Sequence, residues 1–520
     1  MSAQKRMNGA ESLIRSLVAG AVEVCFTNPG TSEIHLVAAL DRISEIRCVL
    51  GLFEGVVTGA ADGYARMTEK PACTLLHLGP GLGNGLANLH NASRAHVPIV
   101  NITGQHATSH LQYDTPLKSD IEGIARPYSK WLRTSRCSAD LGRDAIDAIL
   151  AARTAPGQIA TLIVPADAAW GEEGIVAALP VLPKPPLPPV ATIENAAAML
   201  RSGLSTAILL DGDALYGDGL VMAGRIAAAT GAKLFAPYPI TRLRRGAGLA
   251  KVERVQYVLE AGIEQFKEFR QLILVGASAP VAYFAYPGKS SMFMQPECDL
   301  HTLAHPGEDY VAALKALAAE LKANENDSQL QTAERPAVSS GGITLPGLAA
   351  VIGALLPENA IVVDESMTSG RGLMAATKGC PPHDWLGNTG GSIGIALPLA
   401  VGAAIACPDR KVLCLTADGS AMYTLQALWT MAREGLDVTT VVFANRDYAV
   451  LKREFSYLGV GTAGARAQEL FEIGRPDLDW VQLAKGMGVA GTRVDSLDGF
   501  ARALRSCLEE NGPSLLEVPL

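Results

Sequence analysis

The chain has 520 residues, 48% of them hydrophobic and only 5% aromatic, which suits two to four domains of an aliphatic, Gly- and Ala-rich α/β enzyme. Its net charge of −8 comes without any long run of like charge, which argues against nucleic acid or an anionic membrane as partner. The nine cysteines are odd in number and have no C-x-x-C or Cys/His spacing, so they read as reduced thiols of a cytoplasmic protein.

The chain opens with an amphipathic helix near Gly9 to Ala19, where Glu23 interrupts the only candidate leader segment. Strands follow at Val22 to Phe26, ending in Asn28-Pro-Gly-Thr31-Ser-Glu, and at Arg47 to Leu52, running into Phe53-Glu54 and a helix that reaches Arg66. Ala72 to Leu76 leads into His77-Leu-Gly-Pro-Gly-Leu-Gly-Asn84, and Pro98 to Thr103 into Gly104-Gln105-His106. A parallel α/β unit results, with polar residues at strand C-termini, where such sheets bind ligands. Thr31, Glu54, His77 and Gln105 are its candidates; His106 and His110 are taken as surface residues.

The proline-rich run Leu179 to Pro189 is a stiff connector, and the polar stretch Asn324 to Gly342 a loose one. They fence off a middle unit with strands Thr206 to Leu210, Lys233 to Ala236 and Gln271 to Val275. No G-x-G-x-x-G follows these strands, so a dinucleotide fingerprint is absent and the unit is read as structural. Arg242-Leu-Arg-Arg245, the densest basic cluster, reads as a solvated loop. The expected divisions are residues 1–178, 190–323 and 342–520.

In the last unit a strand, Ala360 to Val363, ends in Asp364-Glu365-Ser-Met367-Thr368. Asn388-Thr-Gly-Gly391-Ser-Ile393-Gly follows, and the most apolar stretch, Gly391 to Cys407, is shorter than a membrane span and broken by Pro398, so it reads as a buried helix. Val412 to Ala417, Asp418-Gly-Ser420, an apolar-periodic segment closed by Gly435, and Val438 to Phe443 read as strand, turn, helix, strand. A right-handed crossover sets the carboxyl ends of both strands on one edge, so Asp418 and Asn445 lie side by side. Two oxygen ligands there suit a small hard cation, and the following helix N-terminus a phosphate. The competing interpretation is an Asp that only caps the helix. Ser514 to Val518 closes the unit.

Taken together, Ala417-Asp-Gly-Ser420, Ala444-Asn445, the Glu54 segment through Gly-Tyr-Ala-Arg66 and the Gly391 to Ile393 loop resemble the thiamine diphosphate-dependent 2-oxo acid decarboxylase and acetolactate synthase superfamily. The resemblance spans nearly the whole chain and implies three Rossmann-like domains that bind the pyrimidine, sit in the middle and bind the diphosphate. It implies that Asp418, Asn445 and the carbonyl of Asp447 hold magnesium, with Met367, Thr368, Gly419, Ser420, Tyr448 and Ala449 by the diphosphate. Glu54 matches the cofactor-activating glutamate, Gly391 the carbonyl that holds the 4′-amino group and Ile393 the apolar prop beneath the thiamine. Otherwise Glu54 would be a partner for its helix dipole.

Among members, the Asn28 to Glu33, Leu76 to Asn84 and Asp418 to Trp429 segments most resemble benzoylformate decarboxylase. Thr31 then positions the substrate carboxylate, or serves the turn; His77 donates a proton or contacts that carboxylate, or is structural. Phe284 stands where the family has a second active-site histidine and cannot move a proton. FAD-binding signatures are not visible and the chain ends at Leu520 without a CoA lid, so neither FAD nor CoA is expected. The resemblance thus implies a magnesium- and thiamine diphosphate-dependent lyase for a 2-oxo acid, with carboligation as a second outcome. An acetolactate synthase-like transferase is the alternative. A non-catalytic paralogue is a third, against which Glu54 speaks. The family places active sites between subunits, implying a homodimer or homotetramer.

Overall fold

The computed structural model describes residues 7–324 and 329–520. Part of the loose connector, residues 325–328, lies outside the described residues.

The first sheet holds β1 (Val24–Asn28), β2 (Arg47–Leu50), β3 (Ala72–Leu76), β4 (Ile99–Gln105), β5 (Trp131–Thr134) and β6 (Ile159–Pro165). They lie in the order β2-β1-β3-β4-β6-β5, all parallel. Burial on both faces explains why the inner strands β1, β3, β4 and β6 are mostly apolar runs rather than alternating ones, whereas the edge strands β2 and β5 are partly exposed. The chain leaves β1 toward β2 on one side and returns to β3 on the other. The crevice between β1 and β3 is therefore the topological switch point, where open α/β sheets take ligands.

The next strands are β7 (Thr206–Leu210), β8 (Lys233–Ala236), β9 (Leu243–Arg245), β10 (Val252–Arg254), β11 (Gln271–Val275) and β12 (Asp299–Ala304). All but β9 form the parallel middle sheet β10-β8-β7-β11-β12. The third sheet adds β13 (Ile361–Glu365), β14 (His383–Gly387), β15 (Val412–Ala417), β16 (Val438–Ala444), β17 (Ala490–Arg493) and β18 (Ser514–Pro519). Its order is β17-β18-β16-β15-β13-β14-β9, with the switch point between β13 and β15. The architecture is thus three parallel-sheet α/β units, each Rossmann-like, as expected.

Arg242 to Arg245 is not a solvated loop. Leu243 to Arg245 pairs antiparallel with β14 as the edge strand of the third sheet. Arg242, Arg244 and Arg410 converge on the buried carboxylate of Asp384 at 2.9, 3.1 and 2.5 Å. Burial alone would raise that carboxyl, yet the guanidiniums hold it below the usual range. Arg245 is buried, donates to Thr377 and the Met374 carbonyl, and lies over the Trp385 ring. The basic cluster ties the middle unit to the third.

The most extensive packing between units joins the helix Glu54–Thr68 to the helix Ala396–Ala406. The axes approach closely because glycines face the partner backbone: a Cβ on Gly402 would stand 1.9 Å from the Ala60 carbonyl oxygen, and one on Gly63 2.2 Å from that of Leu399. Ten of the eleven residues of Ala396–Ala406 are buried, so this part of the apolar run is a core helix, while Gly391 to Ile395, expected to belong to it, is a loop whose glycines take positive φ. Among the described residues no helix is long and apolar enough to cross a membrane.

Candidate active site

At the first switch point, β1 runs into a short turn, Thr31–Glu33, and β3 into His77. Glu33 is completely buried and its carboxylate accepts from Gly30 N at 2.8 Å, Ser32 Oγ at 2.6 Å and His77 Nδ1 at 2.7 Å. A carboxylate can only accept, so Nδ1 carries a proton and Nε2 is the atom left for chemistry. Gly30 is required here, because a Cβ would overlap the His77 ring at 2.2 Å. Thr31 itself is exposed; the hydroxyl beside His77 belongs to Ser32, at 3.3 Å. Gln105 is half-buried at the same edge, with its Oε1 engaged by His106 N at 2.8 Å. His106 is half-buried rather than a plain surface residue, whereas His110 is exposed.

Glu54 opens its helix and is 7% exposed. Its carboxylate accepts from Asn84 Nδ2 at 3.0 Å, and Thr58 Oγ1 donates to the Gly85 carbonyl at 3.0 Å, so the Glu54 helix and the helix Leu78–Arg94 fix each other. Val56 and Val57 are buried beside it; Leu52 is 46% exposed.

At the third-sheet switch point, Ala417 pairs with Phe443 and Asp418 leaves β15 beside the end of β16. Asp418 is 2% exposed; its two carboxylate oxygens accept from Gly419 N at 2.9 Å and Arg446 N at 2.7 Å. Burial raises this carboxyl above its ordinary value, against the pull of those bonds. Asn445 Oδ1 accepts from Asp447 N at 3.2 Å, and Asp447 pairs with Lys452. Gly419 and Ser420 are buried at the turn; Tyr448 packs against Gly419, where a Cβ would meet its ring at 2.7 Å. A cavity of about 550 Å³ brings Thr368, Asn445 and Ala449 to one place with Arg371. Met367 is 41% exposed.

Three bulky residues take the left-handed backbone at these strand ends: Leu78 after His77, Met367 after β13 and Arg446 between Asn445 and Asp447, with φ of 51°, 51° and 57°. Side chains of this kind rarely adopt it, and such strain gathers where geometry serves function.

The Gly391–Ile393 loop lies beside this turn: Thr424 Oγ1 donates to the Gly394 carbonyl at 2.7 Å. Glu365, buried, accepts from Gly394 N at 3.0 Å, Ala396 N at 3.0 Å and Asn388 Nδ2 at 3.0 Å. Burial pushes its carboxyl up to about 7 despite these bonds. From the middle unit, Tyr283 rather than Phe284 reaches the loop: a Cβ on Gly391 would lie 3.3 Å from the Tyr283 ring, while Phe284 is 56% exposed. Burial pushes the Tyr283 hydroxyl up to about 12.

The structure adds Glu33, Asn84 and Glu365 to the candidate residues. Each had a signal: an acid or amide at the end of an apolar strand or inside a glycine-rich turn. The pairings themselves, across 44, 30 and 29 residues, have none.

The chain is similar to known proteins over nearly its whole length. Residues 7–124 match the thiamine pyrophosphate enzyme N-terminal TPP binding domain, and residues 370–518 the corresponding C-terminal domain. The chain is 51% identical, over 98% of its length and 99% of the other's, to IlvX of Mycobacterium tuberculosis, whose name assigns it provisionally as an acetolactate synthase large subunit. It is 28% identical to benzoylformate decarboxylase of Pseudomonas aeruginosa, over 95% of each chain. The solved thiamine diphosphate-dependent 4-hydroxybenzoylformate decarboxylase of Rhodococcus jostii superimposes with a TM-score of 0.86 at 25% identity, covering 98% of this chain and 99% of that one.

Proposed function

The chain belongs to the thiamine pyrophosphate enzymes, in the decarboxylase and acetolactate synthase family, and from that premise we propose that it is a magnesium-dependent lyase that decarboxylates a 2-oxo acid. One observation carries this: buried Asp418 and the adjacent Asn445 meet at one switch point, while buried Glu54 and the Glu33–His77 pair stand at strand ends of the first sheet. The donor set fits the cofactor. Asp418, Asn445 and the Asp447 carbonyl are hard oxygen donors of the kind magnesium takes, and diphosphate completes such a shell.

When bound, thiamine diphosphate would supply a nucleophilic carbon for the 2-oxo carbonyl and an electron sink for the pair left behind when CO₂ departs. Glu54, gripped by Asn84, would hydrogen-bond the aminopyrimidine ring nitrogen and so favour the imino form. The carbonyl of Gly391 would accept from the amino group, and Ile393 would supply the apolar support beneath the rings. Met367, Thr368, Gly419, Ser420, Tyr448 and Ala449 would surround the diphosphate. His77 presents Nε2 to the substrate carboxylate or returns a proton to the product, with Glu33 as its counter-charge. Thr31 and Gln105 lie at the rim of the same crevice, and Phe284 faces the solvent side of the middle loop.

Glu54 and Asp418 belong to different subunits in this reading, so a dimer is the smallest active form. Apolar side chains stand exposed near both strand-end sites, Leu52 and Tyr113 on the first unit and Met367 and Tyr423 on the third, as a covering second copy requires. The kinship with acetolactate synthase large subunits favours a second reading, in which a further carbonyl captures the decarboxylated unit. Incubating the purified protein, thiamine diphosphate and magnesium with a panel including pyruvate and phenylglyoxylate separates the two. Free aldehyde supports the lyase and acyloin the transferase; no CO₂ from any 2-oxo acid overturns both.

A further inference from the structure

The loop between β14 and the helix Ala396–Ala406 is held almost entirely by groups from outside itself. Arg66 donates to the Gly387 carbonyl at 2.7 Å and to Thr389 Oγ1 at 3.0 Å. Asn388 folds back to accept from Gly391 N at 2.8 Å and to donate to the Ser392 carbonyl at 2.9 Å. Two consecutive residues of the first unit, His90 and Asn91, then bracket Gly391. His90 Nε2 is 3.1 Å from the Gly390 carbonyl, to which it donates. Asn91 Nδ2 donates to the Ser392 carbonyl at 2.8 Å, its Oδ1 accepts from Ser392 N at 3.2 Å, and its own carbonyl accepts from Thr389 Oγ1 at 2.7 Å. Among the described residues nothing occupies the carbonyl of Gly391, between these bound neighbours.

The bracket is itself rigid. Asn91 is fully buried, and its amide orientation is fixed by Asn88, which accepts from Asn91 Nδ2 at 2.9 Å and donates to the Gly55 carbonyl at 2.7 Å. The His90 ring packs edge-on to Tyr128 with centroids 6.1 Å apart. Gly390 leaves room for the contact, since a Cβ there would stand 2.5 Å from Asn91 Oδ1.

We propose that His90 and Asn91 are positioning residues: by pinning the backbone on both sides of Gly391, they hold its free carbonyl at the height that receives the 4′-amino group of thiamine diphosphate. The assignment rests on the cofactor reading above. Neither side chain touches the reacting atoms; each acts through the Gly391 peptide. Because they act at the pyrimidine end, their loss spares the diphosphate end at Asp418.

The test uses the full chain with magnesium and two probes, thiamine diphosphate and inorganic pyrophosphate. Asn91→Ala is expected to weaken thiamine diphosphate binding roughly 10- to 100-fold, the usual cost of losing an orienting partner. Pyrophosphate affinity should stay unchanged, and the near-ultraviolet circular dichroism of the bound imino form should fade. His90→Gln, which keeps an N–H donor, should retain affinity; His90→Leu should not. Unaltered thiamine diphosphate affinity and dichroism in Asn91→Ala would overturn the proposal, as would a parallel loss of both probes. A folded wild-type protein that binds pyrophosphate but not thiamine diphosphate would overturn the cofactor reading itself, and this inference with it.

Discussion

His77 Nδ1 stands 2.7 Å from the carboxylate of Glu33, a side chain with no exposure to solvent. The pair joins the ends of β1 and β3 across the switch point of the first sheet. Glu33→Gln should lower turnover roughly 10- to 100-fold, because an orienting partner of a working histidine is worth about that much. The loss should largely vanish in a His77→Phe background. Strict additivity of the two losses in a double-mutant cycle would show that they work independently.

Glu54 faces the amide of Asn84 at 3.0 Å and no cation among the described residues. Glu54→Gln should therefore fold and retain cofactor while turnover drops about 10²–10⁴-fold, the typical contribution of a positioned acid–base group. Steady-state kinetics together with a cofactor titration check both halves, and full activity would remove Glu54 from the mechanism.

Asp418 is the only acidic side chain in the proposed magnesium set, so Asp418→Ala should make cofactor retention weak and insensitive to added magnesium. Gel filtration with and without chelator, followed by assay of bound thiamine diphosphate, reads this directly. Retention equal to wild type in the presence of chelator would contradict the metal assignment.

Glu365 gives a pH dependence of known sign. Burial pushes its carboxyl up to about 7 from 4.5, so the folded state keeps a proton that the unfolded chain has released. The associated stabilisation is complete below pH 4.5, declines as the pH rises toward 7 and is gone above it; it amounts to about 3 kcal/mol. Glu365→Gln cannot titrate. Urea unfolding at several pH values should show the wild-type advantage over this variant shrinking across that interval, and parallel profiles would refute it.

Asp62 and Arg66 form an ion pair with neither side chain exposed, at 2.7 Å, and Arg66 also reaches the Thr241 and Gly387 carbonyls. Asp62→Ala leaves a buried guanidinium without its counter-charge and should cost about 3–5 kcal/mol. A loss below 1 kcal/mol in chemical denaturation would mean that the carbonyls and Thr389 Oγ1 satisfy Arg66 without it.

The difference between the Asp418 turn and the Arg242 cluster shows what a sequence can carry. Val412 to Ala417 followed by Asp-Gly-Ser announces strand, turn and helix through residues that touch along the chain, and the parallel crossover sets Asp418 beside Asn445 without further information. The strands Ala72 to Leu76, Thr206 to Leu210 and Gln271 to Val275 were legible for the same reason; those at Val24 and Ile361 begin one or two residues later than their apolar runs suggest. Arg242 to Arg245 looked like a solvated loop because its partner, Asp384, lies about 140 residues away.

The sequence by itself determined three parallel α/β units, the polar residues at their strand ends, and the cofactor family through the joint occurrence of Glu54, Gly391 and Asp418. Only the tertiary structure decided that Glu33 pairs with His77, that Ser32 rather than Thr31 stands beside that histidine, that Tyr283 rather than Phe284 meets Gly391, and that Asn91 grips Ser392. Periodicity and turn chemistry are local and so are written in the order of residues. A buried hydrogen bond between distant segments is fixed by which backbones the packed helices bring within 3 Å of each other, and no run of residues records that distance.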